Sequence, residues 1–298
     1  MPSRCCRKCV VSSEAAVPEV ILNQRIPWIP PRAEIRACEI HALATTQSAK
    51  GLALSTQVCS EQGIQDAYQG TEFAQQYVSR RFESELNRVL HEAQVEAVNH
   101  VMREHRPERA LEIAPGPGRV TRDVVPSGSL TCLEYNEGMI ETGKQNCRQD
   151  INWVQGNAFE LPFEQEFGFA YSFRFVRHFH REDRNRFYEQ VRNSLHPGGL
   201  LVFDAVNQPL SQPLRDRKPE QYPIYDKLYQ RDELVKEITT AGFEVVSLKP
   251  VQKFPRAQYA SQVILGPRSG LLNKLVIRSL EALPLRDGLE WIVTCRRA

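Results

Sequence analysis

The stretch Arg109-Ala110-Leu111-Glu112-Ile113-Ala114-Pro115-Gly116-Pro117-Gly118 limits what this chain can fold into more than any other. Ala110 to Ile113 is a short apolar run broken by one acid, the pattern of a buried parallel strand reaching its carboxyl end. A turn with glycine at 116 and 118 follows, then a helical pattern from Arg119 to Val125. Glycine removes the Cβ atoms that would hold a ligand off the backbone. The amides that open a helix add donors and partial positive charge. Together these predict a loop for a nucleotide-bearing cofactor, although a tight strand-to-helix turn with no ligand uses the same letters. A dinucleotide fingerprint places a third glycine at 121. Thr121 stands there, which argues against a nicotinamide enzyme.

Beyond the loop, strands and helices alternate. Ser129 to Glu134 reads as a second strand ending in an acid, and a carboxylate at that end accepts both hydroxyls of a ribose. Ile151 to Gly156 and Phe167 to Phe173 read as the third and fourth strands. Arg174-Phe175-Val176-Arg177-His178-Phe179-His180 leaves the carboxyl end of the fourth, where an open parallel sheet presents its ligands. His178 and His180 are therefore candidate general bases, and Arg174 and Arg177 candidates for an anionic substrate group. The other reading makes His178 a loop anchor and pairs the arginines with Glu182 and Asp183. A polar helix from Arg181 to Leu195, the turn His196-Pro197-Gly198-Gly199 and a strand Leu200 to Asp204 come next. Residues 207–230 carry four prolines with Tyr222, Tyr225 and Tyr229, and read as a long loop serving as a substrate lid. Arg231 to Ala241 reads as a helix, Phe243 to Leu248 as a strand and Leu289 to Arg297 as the closing strand. Between them, residues 250–288 form an insertion with an apolar helical stretch, Leu271 to Leu283, expected to cover part of the substrate cavity.

Four of these elements, in this order, resemble the class I S-adenosylmethionine-dependent methyltransferases. Glu112-x-Ala114-x-Gly116-x-Gly118 is similar to the family's first motif, with alanine in place of its first glycine. Glu134 stands where the family's ribose-binding acid stands, and Tyr135-Asn-Glu-Gly-Met139-Ile resembles the segment whose apolar residue packs on adenine. Gly156-Asn157-Ala158-Phe159-Glu-Leu-Pro-Phe163 is similar to Gly-Asp-Ala-x-x-Leu-Pro-Phe, with Asn157 replacing the acid that accepts from the adenine amino group. Pro197-Gly-Gly is similar to the turn before strand five, and Gly168 departs from the usual acid of strand four. The resemblance covers residues 70–298. It implies an α/β fold: a Rossmann-like seven-stranded, mostly parallel sheet with its last strand antiparallel and helices on both faces. It also implies a cofactor, S-adenosyl-L-methionine, held by Glu112, Ala114, Pro115, Gly116, Gly118, Glu134, Tyr135, Met139, Asn157, Ala158, Phe159 and Phe173. The activity implied is O- or N-methylation of a small-molecule acceptor, with Tyr222 and Tyr225 beside it. Two other readings stay open: a methyltransferase for a ribosomal RNA base, and a protein that binds cofactor or partner without turnover.

Thr71 to Arg106 is helical in pattern, expected as two helices broken near Phe82 to Glu85, the second closed by Pro107. Residues 61–108 form, on this reading, a helical preface that folds over the pocket, where Tyr77 and Arg81, one turn apart, would meet the substrate and the cofactor carboxylate. Residues 1–60 read as an irregular extension, broken by prolines at 18, 27, 30 and 31. Cys6-x-x-Cys9 and Cys38-x-x-His41 have knuckle spacing for a structural zinc. The interval between the pairs exceeds the usual ~15–20 residues, and an arm without metal fits as well. Residues 109–298 form the catalytic domain.

Composition enters only by exclusion. A formal net charge of +2 is too small to argue for nucleic acid or an anionic membrane. No apolar run reaches the ~20 residues that cross a bilayer, and the start has no apolar core for a signal peptide. Eight scattered cysteines predict reduced thiols and a cytoplasmic protein.

Overall fold

The computed structural model describes residues 84–219, 222, 224–285 and 287–298. The expectations for Cys6, Cys9, Cys38 and His41, and for Tyr77 and Arg81, lie outside the described residues. Ser84 caps helix α1 (Glu85–His105) by accepting the Asn87 amide at 3.2 Å, with an acid in the first turn and Arg103 and His105 in the last. Pro107 follows, and it cannot continue the helix. Val89, Leu90, Val98, Val101 and Met102 form the buried stripe of α1.

Strands β1 (Arg109–Ile113), β2 (Ser129–Glu134), β3 (Asn152–Gln155), β4 (Phe167–Ser172) and β5 (Leu195–Asn207) pair in parallel. Strand β8 (Glu290–Arg297) runs antiparallel to both β5 and β7 (Phe243–Val251). The sheet order is β3-β2-β1-β4-β5-β8-β7, with the two-residue β6 (Leu228–Tyr229) added beside β5. Seven strands thus form the continuous sheet that was expected. Helices α3 (Arg181–Ser194) and α5 (Arg231–Thr240) bury Phe187, Val191, Leu234 and Ile238 against one face. Helix α1 covers the other, where Ile277 and Val251 join the same apolar cluster. Helix α2 (Glu137–Asn146) links β2 to β3, its first turn capped by the Asn136 side chain.

Three expectations need correction. No α-helix follows the glycine loop; one 3-10 turn, Thr121–Asp123, takes its place. The segment is too short, since Pro126 drives Val125 out of helical geometry. The Pro-Gly-Gly turn lies inside β5, where residues 196–199 loop out and the register jumps from Phe167↔Leu195 to Phe169↔Leu200. Residues 207–230 are not one long loop, because helix α4 (Gln208–Arg217) and β6 occupy much of them. The insertion forms two helices, α6 (Pro255–Ile264) and α7 (Gly270–Ala282), that pack on each other and on α1. Among the described residues, no helix is long and apolar enough to cross a membrane.

Candidate cofactor cleft

A cleft opens at the carboxyl ends of β1, β2 and β4, lined by Glu112, Ala114 to Pro117, Arg119, Glu134 to Asn136, Met139, Gly156 to Phe159, Phe173 to Phe175, His178 and Phe179. Gly116 and Gly118 have φ of +58° and +78°, the left-handed region that glycine enters without a Cβ penalty. Their crowding differs. A Cβ on Gly118 would stand 2.3 Å from Cys147 Sγ, whereas one on Gly116 would meet no atom within 4 Å. Gly118 is needed for packing, and Gly116 leaves bare backbone facing open space. Ala114 also has positive φ, +54°, so the alanine that departs from the expected glycine carries backbone strain.

Glu134 sits at the end of β2 with both oxygens engaged. Oε2 accepts the Gly116 amide at 2.9 Å and Oε1 the Asn136 amide at 3.0 Å. Burial pushes its carboxyl above the ordinary range, and these amides oppose that push. Each oxygen keeps a second lone pair for a ligand hydroxyl. The same contacts lock the glycine loop onto β2. Met139 is buried beside it, and Tyr135 is exposed at the rim. The Asn157 side-chain oxygen accepts the Phe159 amide at 3.0 Å, which shapes the turn after β3. Phe159 lines the cleft but is mostly core, edge-on to Phe179 with centroids 4.9 Å apart.

Glu112 lies at the cleft's inner end. Its Oε2 accepts from Thr121 Oγ1 at 2.6 Å and Tyr171 OH at 2.9 Å. Burial raises its carboxyl from 4.5 to about 7. Arg119 lines the same end and bonds Gln94 Oε1 at 2.7 Å and His91 Nδ1 at 2.8 Å. His91 Nε2 in turn lies 2.8 Å from Asp123 Oδ2. Burial first, and Arg119 second, hold His91 below its ordinary value. Arg119, Gln94 and His91 were not singled out from sequence. A helical glutamine and histidine one turn apart read as a solvated face until the partner loop is placed against them.

The substrate-side expectations are sorted by the structure. His178 lines the cleft, and its Nδ1 lies 3.0 Å from both the Tyr225 carbonyl oxygen and Asp226 Oδ1. Both neighbours accept, so Nδ1 carries a proton. His180 is not in the lining; it precedes α3 with its ring against Tyr225, centroids 4.6 Å apart. Arg177 is buried away from the cleft. It bonds Asp226 through Nε at 2.9 Å and Nη2 at 3.2 Å, Glu290 at 2.9 Å and Asp204 at 3.2 Å. Asp226 also takes Arg215 at 2.6 Å. Its carboxyl is held well below the usual range by Arg177 and His178, despite burial.

Arg177 as a substrate ligand is thereby corrected, and so is its alternative pairing with Glu182 and Asp183. Arg174 does line the cleft, with its amide on Asp204 Oδ1 at 2.5 Å and its guanidinium 3.4 Å from Glu290. Tyr222 lies under Arg215, 4.5 Å from guanidinium carbon to ring centroid, and neither Tyr222 nor Tyr225 lines the cleft. Among the described residues, none of the insertion lines it either. Among the described residues, no group of three His, Cys, Asp or Glu side chains is placed to hold a metal.

Comparison with known proteins agrees with this geometry. Residues 110–199 match the family model described as a methyltransferase domain. The ubiquinone/menaquinone biosynthesis C-methyltransferase of Psychromonas ingrahamii is 28% identical over 120 residues, 36% of this chain and 46% of that protein. A demethylmenaquinone methyltransferase of Staphylococcus aureus is 26% identical over 133 residues, 41% of this chain and 55% of its own length. The chain thus spans about half the length of these relatives. In fold it is similar to the magnesium protoporphyrin IX methyltransferase of Synechocystis with bound S-adenosylhomocysteine. The TM-score is 0.56 at 9% identity, covering 80% of this chain and all of that one. A methyltransferase structure from Thermotoga maritima gives 0.54 at 18% identity, covering 76% of this chain and 97% of the other.

Proposed function

We propose that this chain, whose residues 110–199 match a methyltransferase-domain model, is a class I S-adenosylmethionine-dependent methyltransferase that methylates a small-molecule acceptor. The observation that carries the reading is the cradle at Gly116 beside Glu134. Bare backbone faces open space where a Cβ would intrude, and a carboxylate with spare lone pairs stands at the strand end. At the inner end, Glu112 and Arg119 offer one carboxyl and one guanidinium, the pair that complements an α-amino carboxylate. Those groups suit the ribose and the methionine part of S-adenosylmethionine. When bound, that cofactor supplies a methyl group on a sulfonium, open to in-line displacement.

The chain's own part is orientation and exclusion of water. Phe173, Phe175 and Phe179 form an apolar wall on the side of the cleft that Arg174 and His178 complete. The curated relatives are named for quinone methylation, and an aromatic wall suits a planar acceptor. Where the acceptor loses a proton, His178 is the base, with Asp226 and the Tyr225 carbonyl holding the proton on Nδ1. Three guanidiniums, of Arg174, Arg177 and Arg215, face three carboxylates, of Asp204, Asp226 and Glu290. That balance favours a neutral acceptor over an anion. The free, buried thiols of Cys132, Cys147 and Cys295 support a reducing, cytoplasmic setting.

The test is calorimetric titration of the purified chain with S-adenosylmethionine, S-adenosylhomocysteine and NAD, with Glu134→Ala as control. Binding of the first two, lost in the variant, is the expected result. Binding of NAD alone, or of none, would overturn the reading.

A further inference from the structure

Arg119 follows the glycine loop directly, and side chains of α1 hold its guanidinium at two points. Nη1 donates to His91 Nδ1 at 2.8 Å and Nη2 to Gln94 Oε1 at 2.7 Å. Bonds from two different terminal nitrogens fix the plane of the group as well as its place. His91 and Gln94 lie three residues apart, so both reach the loop from one side of the helix. All three side chains are buried, Gln94 completely. The bonds also set the state of the histidine. A guanidinium only donates, so His91 Nδ1 accepts with its lone pair. Nε2 then carries the ring proton and gives it to Asp123 Oδ2 at 2.8 Å. Asp123 thereby fixes the tautomer that Arg119 requires. A proton on Nδ1 would set donor against donor and cation against cation. Burial and Arg119 itself oppose that proton.

These contacts do more than seat the turn. Its backbone has a separate anchor on the same helix, where Asn99 donates to the Asp123 carbonyl at 3.2 Å and accepts the Val125 amide at 2.8 Å. His91 and Gln94 instead meet a side chain, the guanidinium that lines the inner end of the cleft with Glu112. A cation held in one orientation beside a carboxyl is a ready receptor for the carboxylate of an amino acid. We propose that His91 and Gln94 are positioning residues that aim Arg119 at the carboxylate of the cofactor's amino-acid end. Helix α1, which lies outside the sheet, is then part of the binding machinery. The inference rests on the cofactor reading above and adds to it the groups that set affinity at one end of the ligand.

Calorimetric titration of the full chain with two ligands tests it. One is S-adenosylhomocysteine; the other is 5′-methylthioadenosine, which keeps the adenosine and its sulfur but has no amino-acid carboxylate. His91→Phe should weaken S-adenosylhomocysteine about tenfold, the scale of one hydrogen bond to a charged group, and leave 5′-methylthioadenosine within about twofold. His91→Asn returns an amide oxygen close to the place of Nδ1 and should bring S-adenosylhomocysteine back to within about threefold of the unaltered chain. Gln94→Leu should repeat the selective loss should His91→Phe fold poorly. Equal loss of both ligands in these variants would show a packing role and overturn the proposal. Unchanged S-adenosylhomocysteine binding in both, or an asparagine variant no better than the phenylalanine one, would overturn it too. Binding of neither ligand by the unaltered chain would overturn the cofactor reading together with this one. Binding of both, with no selective loss in any variant, would overturn this one alone.

Discussion

Replacing Glu112 by glutamine separates the electrostatics of the cleft from its shape. Both hydroxyl donors, Thr121 and Tyr171, bond the same oxygen, Oε2. An amide with its carbonyl at that position keeps both bonds and loses only the charge. Burial lifts the Glu112 carboxyl from 4.5 to about 7. Between those values the folded chain holds a proton that the unfolded chain has released, so stability falls as pH rises from about 4.5 and levels off above about 7. At about 1.4 kcal/mol per pH unit, the loss across that window is about 3 kcal/mol. Glu112→Gln removes it, so the variant should be about as stable as the unaltered chain at pH 5 and about 3 kcal/mol more stable at pH 8. Urea unfolding followed by tryptophan fluorescence at pH 5, 6, 7 and 8 measures the difference, and titrations elsewhere cancel between the two proteins. Parallel profiles would refute the burial argument. The same ionisation governs binding: a ligand ammonium beside Glu112 favours the carboxylate, so S-adenosylhomocysteine should bind more tightly as pH rises through 7, and the variant should lose that slope.

Gly118→Ala should cost about 2–4 kcal/mol in thermal or urea unfolding, from positive φ plus the clash with Cys147 Sγ. Adding Cys147→Ala should leave only the backbone part, about 1–2 kcal/mol. Ala114→Gly, at φ +54°, should raise stability by about 0.5–1 kcal/mol on the same assay, and a loss there would show that the alanine methyl packs. Asp226→Asn should destabilise by about 3–5 kcal/mol, because Arg177 and Arg215 stay buried with one carboxylate fewer. A change within error in urea unfolding would mean that the network relaxes.

The sheet was legible because its strands are buried on both faces. Runs such as Phe169 to Tyr171 and Leu200 to Phe203 leave no polar position to turn outward, and Glu134 marks where β2 meets the cleft. The start of α1 was legible for a local reason as well, since a cap and its amide lie three residues apart. The turn after the glycine loop was not. Val120 and Val124 have helical spacing, yet Arg119 and Asp123 are both drawn to His91, and Pro126 leaves too few residues for an α-helix. The individual amides of Gly116 and its neighbours, rather than a helix dipole, make that end of the cleft.

The substrate side was misread because its pairing is wholly non-local. Asp204 comes from β5, Asp226 from the segment before β6 and Glu290 from the first residue of β8. Nothing in the letters around Arg174 and Arg177 announces three acids from three distant places. Arginine next to histidine at a strand end suggests an anion site only while those acids are unplaced. Once they are in place, the positive charge is balanced, and what remains for an acceptor is the phenylalanine wall, one arginine edge and one histidine. Charge near a cleft is thus weak evidence about a substrate until its partners are known. A glycine at positive φ with open space before it is stronger evidence, because a conformation that other residues resist and bare backbone coincide in the same residue.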